Sequence, residues 1–286
     1  MLRFSGAGVS DVGRVRPHNE DAGFVGPYVA LVADCVGGAA AGEVASATAA
    51  YAVSATAMSR FLDPPELVLT DAAEAARAAV RLGVQCDLDR LGMATTLTVL
   101  ICDGSRVVLG HVGDSRAYRC RDGQLEQLTT DHTYVQHLVD AGQLSPAAAR
   151  RHPWRNVVLR SVDGDPEGPG LDLTPVPTRV GDRLLLCSDG LTDLVDDDRI
   201  AEVLRLADPL SAAVLTQSAL VAGGKDNITC VVLDVVAGPL VVGDGQLLGS
   251  LRDVENIVDV GSVRQQRPSW TDTRGSAGAQ GPHRSQ

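Results

Sequence analysis

Apolar residues in this chain recur at strand spacing, then helical spacing, then strand spacing again. Residues 4–13 are glycine-rich and short-stranded, and residues 28–33 form a compact apolar run. From 43 to 61 small and apolar residues follow one another almost unbroken, which suits a helix packed closely on a sheet. Asp63-Pro64-Pro65 stops it, and a second helix is expected from Thr70, with Glu74 nearby, to about Leu91. Residues 95–102, 106–112, 117–121 and 124–128 read as strands, joined through Asp103-Gly104, Gly113-Asp114 and Asp122-Gly123 into a meander of hairpins. Strands so closely joined are antiparallel, which excludes a doubly wound parallel sheet for this half. Residues 129–165 are irregular and polar, with short helices expected around 134–141 and from Ser145-Pro146. A long irregular insertion of this kind reads as a mobile flap beside a site. A strand at 182–188, helices at roughly 197–207 and 210–222, and a strand at 228–236 complete the pattern.

Where these strands end, aspartates stand. The run 28–33 stops at Asp34, followed by Gly37-Gly38, and 107–112 stops at Gly113-Asp114-Ser115-Arg116. Leu184-Leu185-Leu186-Cys187 runs into Ser188-Asp189-Gly190, and Lys225-Asp226-Asn227 directly precedes the last strand. One such aspartate is ordinarily a turn or cap residue. Four of them beside strongly apolar strands point to a shared oxygen-ligand metal site. Asp193 lies four residues beyond Asp189, so a helical turn there lets both carboxylates face one space. Like charges that close repel unless a cation or a proton sits between them.

Composition narrows the classes. The chain has 286 residues, is 44% hydrophobic and carries a formal charge of −11, which allows a real core and argues against a general nucleic-acid or anionic-membrane binder. No apolar run approaches a membrane span, and the N-terminus lacks a charged start with an apolar signal core, so the cytoplasm is the expected compartment. Cysteines at 35, 86, 102, 120, 187 and 230 show no C-x-x-C pair and read as reduced core residues. Basic charge is almost wholly arginine, Lys225 being the only lysine. The glycine-rich opening has no following lysine and helix, so it is not a nucleotide loop. His132, His137 and His152 match no zinc spacing and are expected to cap or lie on the surface. Residues 262–286, with four arginines against one aspartate and few large apolar residues, read as a disordered tail.

Taken in order, the motifs are Arg16-Pro17-His18-Asn19-Glu20-Asp21, Val32-Ala33-Asp34 with Gly37-Gly38, Ala94-Thr95-Thr96, Gly113-Asp114-Ser115-Arg116, Asp131-His132-Thr133, Cys187-Ser188-Asp189-Gly190 with Asp193, and Lys225-Asp226-Asn227-Ile228-Thr229. The set resembles the metal-dependent protein serine/threonine phosphatases of type 2C in their bacterial form. The resemblance implies an α+β fold, a four-layer α-β-β-α sandwich of two mainly antiparallel sheets flanked by helices. It implies a catalytic domain over 1–237 with the flap at about 129–165, and a C-terminal extension over 238–286, largely disordered from about 262. It also implies a binuclear Mn²⁺ or Mg²⁺ centre whose bridging water attacks phosphoserine or phosphothreonine. Asp34 would bridge both ions, Asp189 and Asp226 would complete the first, and Glu20 or Asp21 with the Cys35 backbone carbonyl would serve the second. Asp114, Asp189 and Asp193 would form a weaker third site. Oxygen donors suit hard divalent cations, and Arg16 is the natural bidentate phosphate clamp. Phosphorylated proteins, including serine/threonine protein kinases or their substrates, are the implied partners of a monomeric enzyme.

Two departures accompany the resemblance. The family usually places glycine after the bridging aspartate, where this chain has Cys35; if that backbone needs a glycine conformation, the second ion is strained or displaced. Val36 cannot donate a proton where some relatives have histidine, so leaving-group protonation falls to water or another side chain. Cys35 motivates the alternative reading, an impaired pseudophosphatase acting as a partner-binding module.

Overall fold

The computed structural model describes residues 1–36 and 41–259, and there the apolar runs assemble into two antiparallel sheets stacked face to face with helices outside. The strands are Leu2–Asp11 (β1), Ala22–Val25 (β2), Val29–Ala33 (β3), Leu97–Cys102 (β4), Val107–Val112 (β5), Arg116–Arg121 (β6), Gln124–Gln127 (β7), Asp172–Val176 (β8), Arg183–Cys187 (β9), Ile228–Ala237 (β10) and Gln246–Gly249 (β11). The helices are Gly42–Ser59 (α1), Pro65–Cys86 (α2), Tyr134–Asp140 (α3), Pro146–Ala149 (α4), Asp189–Thr192 (α5), Asp197–Arg205 (α6) and Ser211–Val221 (α7). One sheet has the order β1-β10-β9-β6-β7 and the other β11-β2-β3-β4-β5-β8.

Three apolar clusters separate four layers. Val32, Leu100, Leu109, Leu184, Leu186, Val231 and Leu233 fill the space between the sheets. Leu31, Val99 and Ile101 face the other way, toward Ala45, Ala49, Val53 and Leu69 of α1 and α2. Leu185, Cys187, Cys230 and Val232 meet Ile200, Leu204 and Leu215 of α6 and α7. Alternate strand residues thus feed different layers, as the pleat requires. The alanines of α1 let it lie close to its sheet, and most of its length is buried. The four-layer sandwich expected from the motifs is the architecture observed.

Three local expectations are corrected. α2 begins at Pro65, not Thr70, because proline is favoured in the first helical turn, where its missing N–H is no loss. The meander is interrupted: β4 pairs with β5 and β6 with β7, but Gly113-Asp114-Ser115 carries the chain from one sheet to the other. β8, an exposed edge strand containing Pro175, is additional. Within the extension after Ala237, β11 pairs with β2 and the turns after it pack on α1. The tail expected from 262 lies outside the described residues, as do Gly37 and Gly38.

Candidate active site

Each acidic motif sits where a strand runs out at the same end of the sandwich. β3 delivers Asp34, whose backbone is clamped by the alanine-threonine-threonine motif. Asp34 N–H donates to Thr96 Oγ1 (3.0 Å), and Asp34 O accepts from Thr96 N–H (2.7 Å) and Thr95 Oγ1 (2.8 Å). β9 delivers Asp189 as the first residue of α5, and the sheet-changing corner delivers Asp114. Asp226 and Asn227 immediately precede β10. The Asn227 side chain accepts from Glu20 N–H (2.8 Å) and donates to Val12 O and His18 O (both 2.9 Å), tying the 12–20 loop to the start of β10.

Arg16, Glu20, Asp34, Cys35, Asp114, Asp189 and Asp226 line one cavity of about 60 Å³. Asn227 and, from the flap, Asn156 and Val158 complete its wall. No site role follows for these three from the sequence; Asn227 stood inside a recognised motif, but Asn156 and Val158 lie in an irregular stretch without periodicity. Asp21 is not in the wall. It lies behind it, fully buried, with Oδ2 accepting from Ser188 Oγ (2.8 Å) and Thr229 Oγ1 (2.7 Å). Asp193 lines an adjoining cavity of about 430 Å³ that shares Asp114 and Asp189, and it accepts from Arg155 Nη2 at 3.3 Å.

The electrostatics of this wall are unfavourable to bare carboxylates. Burial pushes Asp21 up to about 6, against the two hydroxyl bonds, and pushes Asp114 up to about 7, helped by Asp131. Asp34 and Asp189 go well above the usual carboxylate range, by burial first and then by like charge, chiefly Asp21 and Asp189 acting on Asp34 and Asp114 and Asp193 acting on Asp189. Arg16 donates from Nη2 to Asp226 Oδ2 at 2.8 Å; burial opposes its charge, but Asp226 and Glu20 raise its pKa overall. Glu20 Oε2 accepts from the Cys35 thiol at 2.9 Å, and burial with Glu20 holds that thiol protonated.

Cys35 itself is unstrained. The non-glycine residues with left-handed backbone among those described are Ala41, Asp122 and Ala207, while Cys35 forms an antiparallel bridge with Thr95. Cys35 therefore needs no glycine-only conformation.

The donor chemistry fits divalent cations. Asp21 Oδ1 is buried with no hydrogen-bond partner, and Asp34 and Asp189 face the cavity as close like charges. Among the described residues no three acidic, cysteine or histidine side chains already stand at ion-binding geometry. Asp226 is turned to Arg16, Glu20 to the Cys35 thiol and Asp193 to Arg155, so these three carboxylates would have to exchange a partner for the ion.

The family profile described as protein phosphatase 2C matches residues 18–221. The chain belongs to that family. Among relatives of this protein phosphatase 2C chain is the serine/threonine protein phosphatase PstP of Mycobacterium tuberculosis, 44% identical over 243 residues, which cover 82% of this chain and 45% of PstP. The chain thus spans about half the length of that relative. The serine/threonine phosphatase stp of Listeria monocytogenes is 37% identical over 238 residues, covering 79% of this chain and 93% of stp. The crystal structure of the PstP catalytic domain in complex with two manganese ions superposes with a TM-score of 0.75 at 40% identity, covering 83% of this chain and all of that one. No helix among the described residues is long and apolar enough to cross a membrane.

Proposed function

We propose that this chain hydrolyses phosphoserine and phosphothreonine in proteins at a centre of Mn²⁺ or Mg²⁺ ions. The observation that carries the reading is convergence: residues separated by as many as 210 positions, from Arg16 to Asp226, line one small cavity of oxygen donors beside a single guanidinium. Asp34, Asp189 and Asp226 would hold one ion, Asp34 with Glu20 or Asp21 and the Cys35 carbonyl a second, and Asp114, Asp189 and Asp193 a weaker third. When bound, such ions neutralise phosphoryl charge and make a coordinated water acidic enough to attack near neutral pH.

The chain's own groups orient the reaction. Arg16 presents a planar fork at the cavity mouth that binds two phosphoryl oxygens and fixes the phosphorus for in-line attack. Thr95 and Thr96 fix the Asp34 backbone, Ser188 and Thr229 fix Asp21, and Asn227 fixes Glu20. Neither cysteine near the cavity is suited to attack phosphorus. Cys35 is a neutral thiol bonded to Glu20, and Cys187 is fully buried between β9 and its covering helices. Phosphorylated proteins, including serine/threonine kinases or their substrates, are the proposed partners, met in the cytoplasm by a monomer. The pseudophosphatase alternative loses its argument from backbone strain.

The test is phosphate release from a phosphothreonine peptide and from para-nitrophenyl phosphate with Mn²⁺, with Mg²⁺ and with chelator, beside Asp189→Ala. Divalent-dependent turnover abolished by the substitution supports the proposal. Folded protein that releases no phosphate at any cation concentration refutes it and leaves the partner-binding module.

A further inference from the structure

Asp131-His132-Thr133 opens the flap, and its contacts converge on the corner that carries Asp114. Gly113 is gripped twice by one residue: His132 N–H donates to Gly113 O (2.7 Å), and Gly113 N–H donates to His132 Nδ1 (3.1 Å). On the other side of Asp114, Asp131 binds Arg116 through Nε (2.8 Å) and Nη2 (2.6 Å). Gly113 has φ +109°, and a side chain there would run into Thr96, the residue that clamps Asp34. Glycine lets the corner come that near, and His132 pins it there.

The same histidine is fixed from behind. Because Nδ1 accepts, the ring proton is on Nε2, which lies 2.9 Å from both Asp172 Oδ2 on β8 and Arg160 Nη1; of these two only the carboxylate can accept it. Arg160 holds that carboxylate in a fork, Nη2 to Oδ1 at 2.8 Å and Nη1 to Oδ2 at 3.1 Å. The His111 ring packs on the His132 ring with centroids 4.9 Å apart. Forward, Leu159 N–H donates to His132 O (2.8 Å), and Thr133 pairs with Val158, which lines the catalytic cavity.

Building on the proposed cation chemistry, we infer that His132 is the positioning residue for Asp114, its tautomer set by Asp172, and that it couples the flap segment 157–159 to the weakest cation position. Removing the ring leaves the buried Gly113 N–H without its acceptor, so the corner relaxes and Asp114 loses its aim. Asp34, Asp21 and Asp226 are held by other groups and keep theirs.

The experiment titrates the full chain with Mn²⁺, following free Mn²⁺ by electron paramagnetic resonance, with phosphate release measured in parallel. His132→Ala is expected to weaken the loosest class of Mn²⁺ sites by about 10- to 100-fold, as loss of an outer partner does, while sparing the tightest class. His132→Asn is expected to rescue binding, because its amide oxygen falls where Nδ1 stood. His132→Gln, which reaches toward Asp172 instead, is expected not to. Adding His132→Ala to Asp114→Ala is expected to change nothing further. Should the alanine variant fail to fold, the asparagine and glutamine variants still decide. The inference is overturned if the alanine variant binds Mn²⁺ as the wild type does, if glutamine rescues and asparagine does not, or if the two alanine effects multiply. A wild-type chain that binds no Mn²⁺ overturns the proposed function as well, whereas normal wild-type binding unaltered by His132→Ala overturns only this inference.

Discussion

Cutting the chain after Ala237, where the apolar pattern fades, should damage both the fold and the cation site. β11 and the turn after it bury Leu248 and Leu251 at 0% and 1% exposure. Replacing a buried leucine by alanine typically costs about 2–5 kcal/mol, so losing both removes about 4–10 kcal/mol before any ladder bond is counted. A domain is stable by only about 5–15 kcal/mol, so this is a large share. The same segment braces the acidic loop. Ser250 N–H and Oγ donate to Asp21 O at 2.8 and 3.0 Å, Ser250 Oγ meets Ser46 Oγ at 2.9 Å, and Ser46 Oγ reaches Glu20 O at 2.5 Å. Gly249, at φ +58°, lies where any side chain would strike the Asp21 carbonyl. The brace is therefore built for contact with the residue behind the cavity wall.

The assay is thermal and urea unfolding of the full chain, of residues 1–237, and of Leu248→Ala and Ser250→Ala, each with and without Mn²⁺. At about 2–4 °C per kcal/mol for a domain of this size, the 1–237 chain should melt at least about 8 °C lower. Leu248→Ala should show roughly half of that or more. Ser250→Ala should lose about 1 kcal/mol, a few degrees, and need more Mn²⁺ for half-maximal stabilisation. Val242→Ser, at an 88% exposed position between the strands, is the neutral control. A 1–237 chain that melts within about 2 °C of the full chain, the shift of less than 1 kcal/mol, with an unchanged Mn²⁺ midpoint, would refute the reasoning.

Three further outcomes follow from the site. Arg16→Lys keeps the charge but loses the fork, and should lower kcat/KM on a phosphothreonine peptide by roughly 10- to 100-fold, about 1.5–3 kcal/mol; an unchanged kcat/KM would remove Arg16 from phosphate binding. Cys35→Gly relieves no strained backbone, so turnover should stay within about a factor of ten, or 1.4 kcal/mol; a larger gain would revive the impaired reading. The cation-free chain should grow less stable from pH 6 to pH 8. Burial holds Asp21 and Asp114 at about 6 and about 7, above the unfolded value of about 3.9, so the folded state binds more protons and its stability falls as pH rises through those values. Urea midpoints in chelator should fall across that range and flatten with saturating Mn²⁺; a midpoint in chelator that is level or rises would contradict the burial argument.

What the sequence disclosed and what it hid have one physical origin. A buried strand is a run of apolar residues, and the aspartate that ends it is a local event, so Asp34, Asp114, Asp189 and Asp226 could be found without coordinates. An edge strand buries one face at most and needs no such run. β8 reads Asp172-Leu173-Thr174-Pro175-Val176 and is mostly exposed, so nothing in its pattern separates it from loop, although it supplies the carboxylate that orients His132. β11 is four residues long with one of them buried, and it passes for the start of a tail. The corner at Gly113 was legible as a turn, but a hairpin and a change of sheet both call for glycine there, and only the partners of β5 and β6 tell them apart. Glu20 and Asp21 are neighbours in sequence yet face the cavity and its back wall, a distinction set by Ser188 and Thr229 some 167 and 208 residues away. The aspartates that end apolar runs announce themselves locally, whereas the residues that hold them come from edge strands, turns and distant strand ends, and their pairing is written only in three dimensions.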